Sequence, residues 1–559
     1  MILLYDFEYI SKNLVLESFL KVICEEFGVK YKLRKEDKFV KLYIDEDEQR
    51  QHEFADHLSS MLPLSLFLKS SNAKITDSIV GKEINIKNTA ISLPFTKNAI
   101  ECAKDRESFY YSHPFPPNEV GFINYNVTSL TFEDRDSATV ANSSSDYINI
   151  YKKVANFIKN GKKIKIKTPN GIFLFFEINK ENMKGIDDFE VIPTDISLVQ
   201  KMVNITQEEL QTLMTLEKPI MRAKVNMVYE TKEILPKNRV KIRMPNTVLL
   251  QLICEELFSS GVEFIGKSSD AKKYDNFLDY DVKIPKIPDI EVTLLENGEI
   301  LIVKGDEYAS DDLKKDLDKF KDNSIRKFVS ILKERELFDF KSSCFYFSKR
   351  YDDKVMYHDS DKGMLSLVEF PVFSSLRDIF STIKRMDENG EKLIEKYQNT
   401  FPKLYGFLHR AKIPKRLSNN FFNYISFVSL IVGFSDNFQD AGEILIEKAE
   451  DFGGQKGVRI DMKLQNEDKI HSDFDPYRFL RSAMSFKLAG CDDMTLSYGI
   501  IESFAYFISD MADAHKETLG SQKIALGGSL FEYKLVSELV AKNLLANHNI
   551  YFNHELSID

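Results

Sequence analysis

An α+β architecture of several domains is what this sequence predicts, on three observations. The chain has 559 residues, more than one hydrophobic core organises. Its first 75 residues carry strand and helix patterns in the order β-α-β-β-α-β, that of a split βαβ sandwich. Its last clear element pair is the strand Lys523–Leu526, the turn Gly527-Gly528 and the helix Leu530–Leu545.

In the N-terminal unit, Met1–Ile10 alternates as a strand, and Leu14–Phe27 is apolar at helical spacing. Val29–Leu33 and Phe39–Ile44 read as strands, Glu53–Leu62 as a helix and Leu64–Leu68 as a final strand. Residues 76–146 are less regular and end in the polar stretch Asn142–Asp146, a linker pattern. From Tyr147 onward a helix (Tyr151–Lys159) leads into the strands Ile164–Lys167 and Ile172–Glu177. Helix Gln207–Thr215, strand Pro219–Met227, helix Thr247–Ser259 and strands Ile290–Leu295 and Ile300–Lys304 follow. Asp311–Leu337 is strongly charged and helix-forming, a connector pattern. Strands Cys344–Ser348, Lys354–His358 and Met364–Phe370 then give way mostly to helices.

The bulk numbers exclude several classes. With 43 % hydrophobic and 29 % charged residues the chain has the makeup of a folded soluble protein. A net charge of −10 argues against a nucleic-acid partner, including one bound through the lysines of 152–167. Cys24, Cys102, Cys254, Cys344 and Cys491 form no CxxC pair, which predicts reduced buried thiols in a cytoplasmic protein. Met1–Ile10 has no basic region or cleavage site of a signal peptide. The longest apolar run, Phe421–Phe434, is shorter than the roughly 20 residues of a membrane span and contains Asn423, so a buried helix is predicted.

Several segments resemble one family. Lys523-Ile524-Ala525-Leu526-Gly527-Gly528-Ser529-Leu530-Phe531-Glu532 looks like the V-A-L-S-G-G-V-F-Q-N segment of the HypF-type hydrogenase maturation carbamoyltransferases. Asp451-Phe452-Gly453-Gly454-Gln455-Lys456-Gly457 resembles that family's Y-E-G-Q-A-A motif. The segment 161–174 resembles G-K-I-V-A-I-K-G-L-G-G-F-H-L, and 240–247 resembles L-G-V-M-L-P-Y-T. A shorter, degenerate group within the family is the nearest match. The resemblance implies an acylphosphatase-like unit over 1–75 and a degenerate zinc-finger-like segment with linker over 76–146. It further implies a YrdC-like domain over 147–310 and an actin/Hsp70-like transferase domain with a helical connector over 311–559.

Each chemical station that the resemblance implies is short of side chains. An acylphosphatase needs an Arg around its phosphate, yet the matching loop 11–19 has none and places Glu17 there, with Lys12 more simply a surface lysine. The zinc-finger stretch keeps only Cys102 and His113, around a Phe109–Phe115 phrase similar to R-Y-x-Y-P-F, so no zinc is expected. In the YrdC-like segment Lys167 and Gly171 match the phosphate-binding lysine and glycine turn, but Asp306 and Glu307 replace positive charge, and 267–271 replaces S-G-N-x-S. In the transferase-like segment Gly527 and Gly528 suit a phosphate-cradling turn, and Gly454 and Gln455 complete the implied ATP contacts, although Gly453 stands for the family's Glu. No His-x3-His metal pair occurs; His358 and His409 stand alone as surface or cap residues, and Asp559 falls where the family has a metal-binding Asp. No metal site and no catalytic residue is therefore assigned.

The function expected is an accessory or assembly factor in nickel–iron hydrogenase maturation that lost most catalytic residues. Its partner would be the hydrogenase large subunit or another maturation protein. The alternative is an active ATP-dependent carbamoyltransferase in hydrogenase cofactor biosynthesis that uses substituted residues.

Overall fold

The chain is described by a computed structural model over residues 2–86, 93–95, 127–134, 137–142, 144–270, 276–282, 286–317, 319–373, 375–466 and 470–559. Two units result: Met1–Val292 with Lys304–Asp311, and Thr293–Val303 with Asp312–Asp559. Cys102, His113 and the phrase 109–115 lie outside the described residues.

In the first unit, Ile2–Tyr9 pairs antiparallel with Phe39–Asp45 on one side and Leu68–Thr76 on the other. Tyr31–Glu36 and then Lys82–Glu83 extend the sheet. The helix Val15–Phe27 buries Val15, Leu16, Phe19, Leu20 and Ile23, and ends at Gly28, whose φ of 74° suits a glycine beyond a helix end. The second helix begins at Glu48, earlier than its apolar pattern, because the Asp47 carboxylate accepts the Arg50 N–H at 2.9 Å. Leu64–Leu68 is not the final strand. Leu66 and Phe67 are buried in a turn whose Leu66 N–H donates to the buried Glu217 carboxylate at 3.0 Å, and the strand starts only at Leu68.

A mixed sheet follows in the same unit. From one edge it runs Ser137–Val140, Val127–Asp134, Phe277–Val282, Ile164–Thr168, Gly171–Glu177, Phe264–Ser268, Glu190–Pro193, Arg239–Ile242, Ile220–Val225 and Glu291–Leu294. Helices Ser144–Lys159 and Val248–Ser259 cover it, with Tyr147, Ile150, Val154, Leu249 and Ile253 in one core. The polar stretch read as a linker runs into the first of these helices, which starts at Ser144. Its Asp146 carboxylate accepts the Asn142 N–H at 2.9 Å, a local bond that favours turning over extension.

The second unit is built on the sheet order Gly363–Glu369, Lys354–Asp359, Ser342–Tyr346, Lys523–Gly527, Asn549–Tyr551; the last two pairings are parallel. The charged stretch 311–337, expected as a helical connector, carries the helices Asp311–Leu317 and Asn323–Glu334, and Phe328, Ile331 and Leu332 of the second share a core with Cys344 and Tyr346. Phe421–Val432 is the buried helix expected, started by the Asn420 side chain on the Asn423 N–H at 2.9 Å. No helix among the described residues is long and apolar enough to cross a membrane. The helix expected from Leu530 begins later. Leu530 N–H donates to the Phe347 carbonyl at 3.0 Å, which holds Ser529–Glu532 as a 3-10 turn before the helix Lys534–Leu544.

Phenylalanine does the core work of this tryptophan-free chain: Phe421 stacks on Phe504 with centroids 4.3 Å apart and meets Phe479 at 5.5 Å. Phe421→Ala is expected to cost about 3–5 kcal/mol, measured as a lowered urea midpoint of unfolding.

Candidate functional site

The strand Lys523–Gly527 carries the Gly527-Gly528 turn at its end. Gly528 has a φ of 104°, and a Cβ there would lie 2.0 Å from the Phe347 carbonyl oxygen, so the position admits only glycine. Its N–H, the group a phosphate would need, donates to the Ile558 carbonyl. Ile558 is itself fixed, its N–H donating to Ile302 at 2.7 Å, and the Lys327 ammonium donates to the neighbouring Ser557 carbonyl. Tyr346 donates to one Asp559 carboxylate oxygen at 2.6 Å and the Ser348 hydroxyl to the other at 3.2 Å. The segment 557–559 therefore lies on the turn as a bound ligand would.

Two further devices hold the segment and the turn. Glu334, fully buried at the end of its helix, accepts the N–H groups of His554 at 2.6 Å, Leu556 at 3.1 Å and Glu555 at 3.4 Å, and the Asn553 amide at 3.0 Å. Burial pushes its carboxyl up to about 7 although those N–H groups pull the other way. Asp353, also buried, accepts the Ser348 and Phe421 N–H groups at 2.6 Å each; burial raises its carboxyl well above the usual carboxylate range against the pull of those bonds. Beside the turn the Lys349 ammonium contacts Glu532, the Tyr533 hydroxyl at 3.2 Å and Glu443 at 3.5 Å, so its charge is answered from within the unit.

Gly454 and Gln455 are exposed on a different loop, and among the described residues no hydrogen bond joins that loop to the Gly527-Gly528 turn. The residue that matters in this motif is Gly457. A Cβ on it would lie 2.4 Å from the Gly499 backbone, and its N–H donates to the Glu502 carboxylate at 3.1 Å. The motif locks a loop onto the helix Asp493–Leu519. His409 ends the helix Pro402–Leu408, and His358 lies edge-on to Phe338 at 5.9 Å. Among the described residues no three His, Cys, Asp or Glu side chains converge as metal ligands.

In the first unit Lys167 and Gly171 sit on one hairpin, where Lys167 pairs with Ile172 and Thr168 with Gly171. The Lys167 ammonium is bound to the Asp279 carboxylate at 2.9 Å, half-exposed on both sides. In the N-terminal loop the Asn13 side chain is consumed by Tyr9, whose hydroxyl donates to it at 2.9 Å, and by the Tyr308 carbonyl at 3.1 Å. Glu17 does not face a phosphate loop; it is buried and paired with Lys35 at 3.0 Å. Asp306 and Glu307 form a 3-10 turn with Tyr308, whose hydroxyl donates to Pro288 at 3.0 Å.

Sequence reasoning missed a buried charge network here. Arg243, 1 % exposed, meets Asp289 at 2.6 Å and Glu190 at 3.6 Å, and Lys267 meets Glu190 at 2.9 Å while lying over the Phe173 ring. Burial works against the Arg243 charge, but Asp289 and then Glu190 outweigh it and hold the guanidinium above its ordinary range. Its one sequence trace is the placement of Arg243 between the apolar Ile242 and Met244.

No protein-family model matches the chain. It is 22 % identical to Protein HydE of Wolinella succinogenes over 419 residues, 73 % of this chain and 73 % of that protein. Full-length HypF, crystallised in a phosphate- and nucleotide-bound form, matches with a TM-score of 0.63 and 13 % identity over 100 % of this chain and 96 % of its own. T. kodakarensis HypF matches with a TM-score of 0.65 and 12 % identity over 99 % and 95 %.

The Glu334 clamp gives a pH test. Folded, its carboxyl keeps its proton to about 7; unfolded, it loses it near the ordinary 4.5. The folded state is thus favoured fully below that ordinary value, and the advantage is lost as pH rises to about 7. Between pH 5 and pH 8 the parent protein should lose about 2 kcal/mol more unfolding free energy than Glu334→Gln, measured by urea denaturation.

Proposed function

From a chain homologous to Protein HydE and sharing the multidomain α+β fold of full-length HypF, we propose a cytoplasmic accessory or assembly factor for nickel–iron hydrogenase maturation that has largely given up HypF-type catalysis. Its frame is acylphosphatase-like over 1–75, YrdC-like over 147–310 and transferase-like over 311–559, with a degenerate zinc-finger-like segment and linker between the first two. Its partner is the hydrogenase large subunit or another maturation protein.

The bond from Gly528 N–H to the Ile558 carbonyl carries this reading. A phosphate bound at a glycine turn is held by free backbone N–H groups, and here that group is already satisfied by the chain itself. The HypF structure that matches was crystallised with phosphate and nucleotide; the residues at this turn do not fit ATP in the arrangement described. Support comes also from Lys167, whose ammonium is neutralised by Asp279, and from Arg243, which is committed to Asp289 and Glu190. A carboxylate beside such a cation answers part of its charge and repels an incoming phosphate.

Calorimetry of the intact protein with ATP and Mg²⁺ is expected to give no saturable binding, and affinity purification is expected to recover hydrogenase large subunit or a maturation protein. Micromolar ATP binding accompanied by carbamoyl transfer would make the protein a carbamoyltransferase with substituted residues. Recovery of no hydrogenase component would remove the assembly role.

A further inference from the structure

Helices of the second unit pair their surface cations with carboxylates: Lys384 meets Glu391 at 3.4 Å, Lys392 meets Glu388 at 3.7 Å and Arg481 meets Asp387 at 2.9 Å. The loop that follows the helix Pro402–Leu408 does not. Between Glu395 and Asp436 the sequence contains no acidic residue, while Arg410, Lys412, Lys415 and Arg416 lie close together in the chain. All four are exposed, and so is Arg350. Among the described residues none of these five has a carboxylate within salt-bridge distance.

The loop is anchored along its length. At its start the His409 ring packs on Tyr405 with centroids 4.3 Å apart. Ala411, Ile413 and Leu417 are partly buried against the core, which leaves the basic residues between them in solvent. Pro414 restricts the backbone in the middle. At the far end the Ser418 hydroxyl donates to the Arg350 carbonyl at 2.6 Å and the Asn420 amide to the Tyr351 carbonyl at 3.1 Å. The Asn419 N–H donates to the Asp352 carboxylate at 2.7 Å. These bonds bring Arg350 beside the loop and add a fifth cation to the patch. Like charges held on a fixed backbone repel one another, and a bound anion relieves that repulsion. Neither the turn at Gly528 nor the Arg243 network makes use of these residues.

We propose that the loop 410–416, together with Arg350, is the docking surface for an acidic segment of a partner protein, rich in Asp and Glu. Guanidinium groups take carboxylates as paired hydrogen bonds, and lysines add point charges that steer the encounter. The size of the patch selects this class of partner. Nucleic acid and an anionic bilayer present charge well beyond one loop, where they would meet a chain of net charge −10. A short acidic segment meets the patch alone. The inference deepens the assembly-factor reading, on which the existence of a partner rests, by giving the chemistry of docking.

A fluorescein-labelled octaglutamate peptide, titrated into the intact protein and followed by fluorescence anisotropy, is the probe. It contains no hydrogenase component, so the surface and the maturation role can fail separately. The parent protein is expected to bind it saturably at low salt, more weakly as salt rises to about 0.15 M. Lys412→Glu, Lys415→Glu and Arg416→Glu combined should weaken binding about tenfold or more. Lys152→Glu, Lys159→Glu and Lys162→Glu combined change the net charge equally and should alter it by less than about twofold. Absence of saturable binding, or equal weakening by the two triple variants, overturns the proposal. Tighter binding of octathymidylate or of phosphatidylserine vesicles than of octaglutamate overturns the assignment to a protein partner. Should the loop variant not fold, Lys412→Gln with Lys415→Gln is read in the same way.

Discussion

Backbone hydrogen-bonding groups at a strand-to-helix turn have to be satisfied by something. In this protein the Gly528 N–H is satisfied by the carbonyl of Ile558. Everything around the turn follows from that choice. Glu334 gathers the N–H groups of 554–556, Lys327 takes the Ser557 carbonyl, and Tyr346 with Ser348 takes the Asp559 carboxylate. A segment tied down by that many polar contacts is part of the core, and opening it would expose several buried groups at once.

The first unit answers its charges in the same manner. Arg243, Lys267 and Lys167 each have a carboxylate within salt-bridge distance, in Asp289, Glu190 and Asp279. The buried pairs of Arg243 and Lys267 add little net stability, since desolvation opposes their attraction, but they are costly to break singly. Such a network serves fixed geometry better than it serves the exchange of a phosphate ligand.

Local patterns explain what was legible in the sequence. The alternation in Ile2–Tyr9, the apolar stripe of Val15–Phe27 and the apolar run of Phe421–Val432 each bury the residues their spacing implies. The strand and the Gly527-Gly528 turn stand where they are expected. Misreadings arose where side chains overrode pattern: Asp146 turned a polar stretch into a helix start, Glu217 drew Leu66 out of a strand, and Phe347 delayed the helix expected at Leu530. In the charged stretch 311–337 apolar residues are sparse, yet Phe328, Ile331 and Leu332 occupy one face of a helix and suffice to bury it. The site was the least legible part. Its decisive contacts join residues far apart in sequence, Glu334 to His554, Arg243 to Asp289 and Ser348 to Asp559. No local spacing encodes such pairs.

Amide hydrogen exchange at Gly528, followed with and without ATP and Mg²⁺, tests the central claim most directly. With the N–H already bonded to Ile558, the amide should exchange slowly in the free protein, and nucleotide should leave its rate unchanged. Rapid exchange that becomes slow when ATP and Mg²⁺ are added would show a vacant phosphate turn and contradict the account.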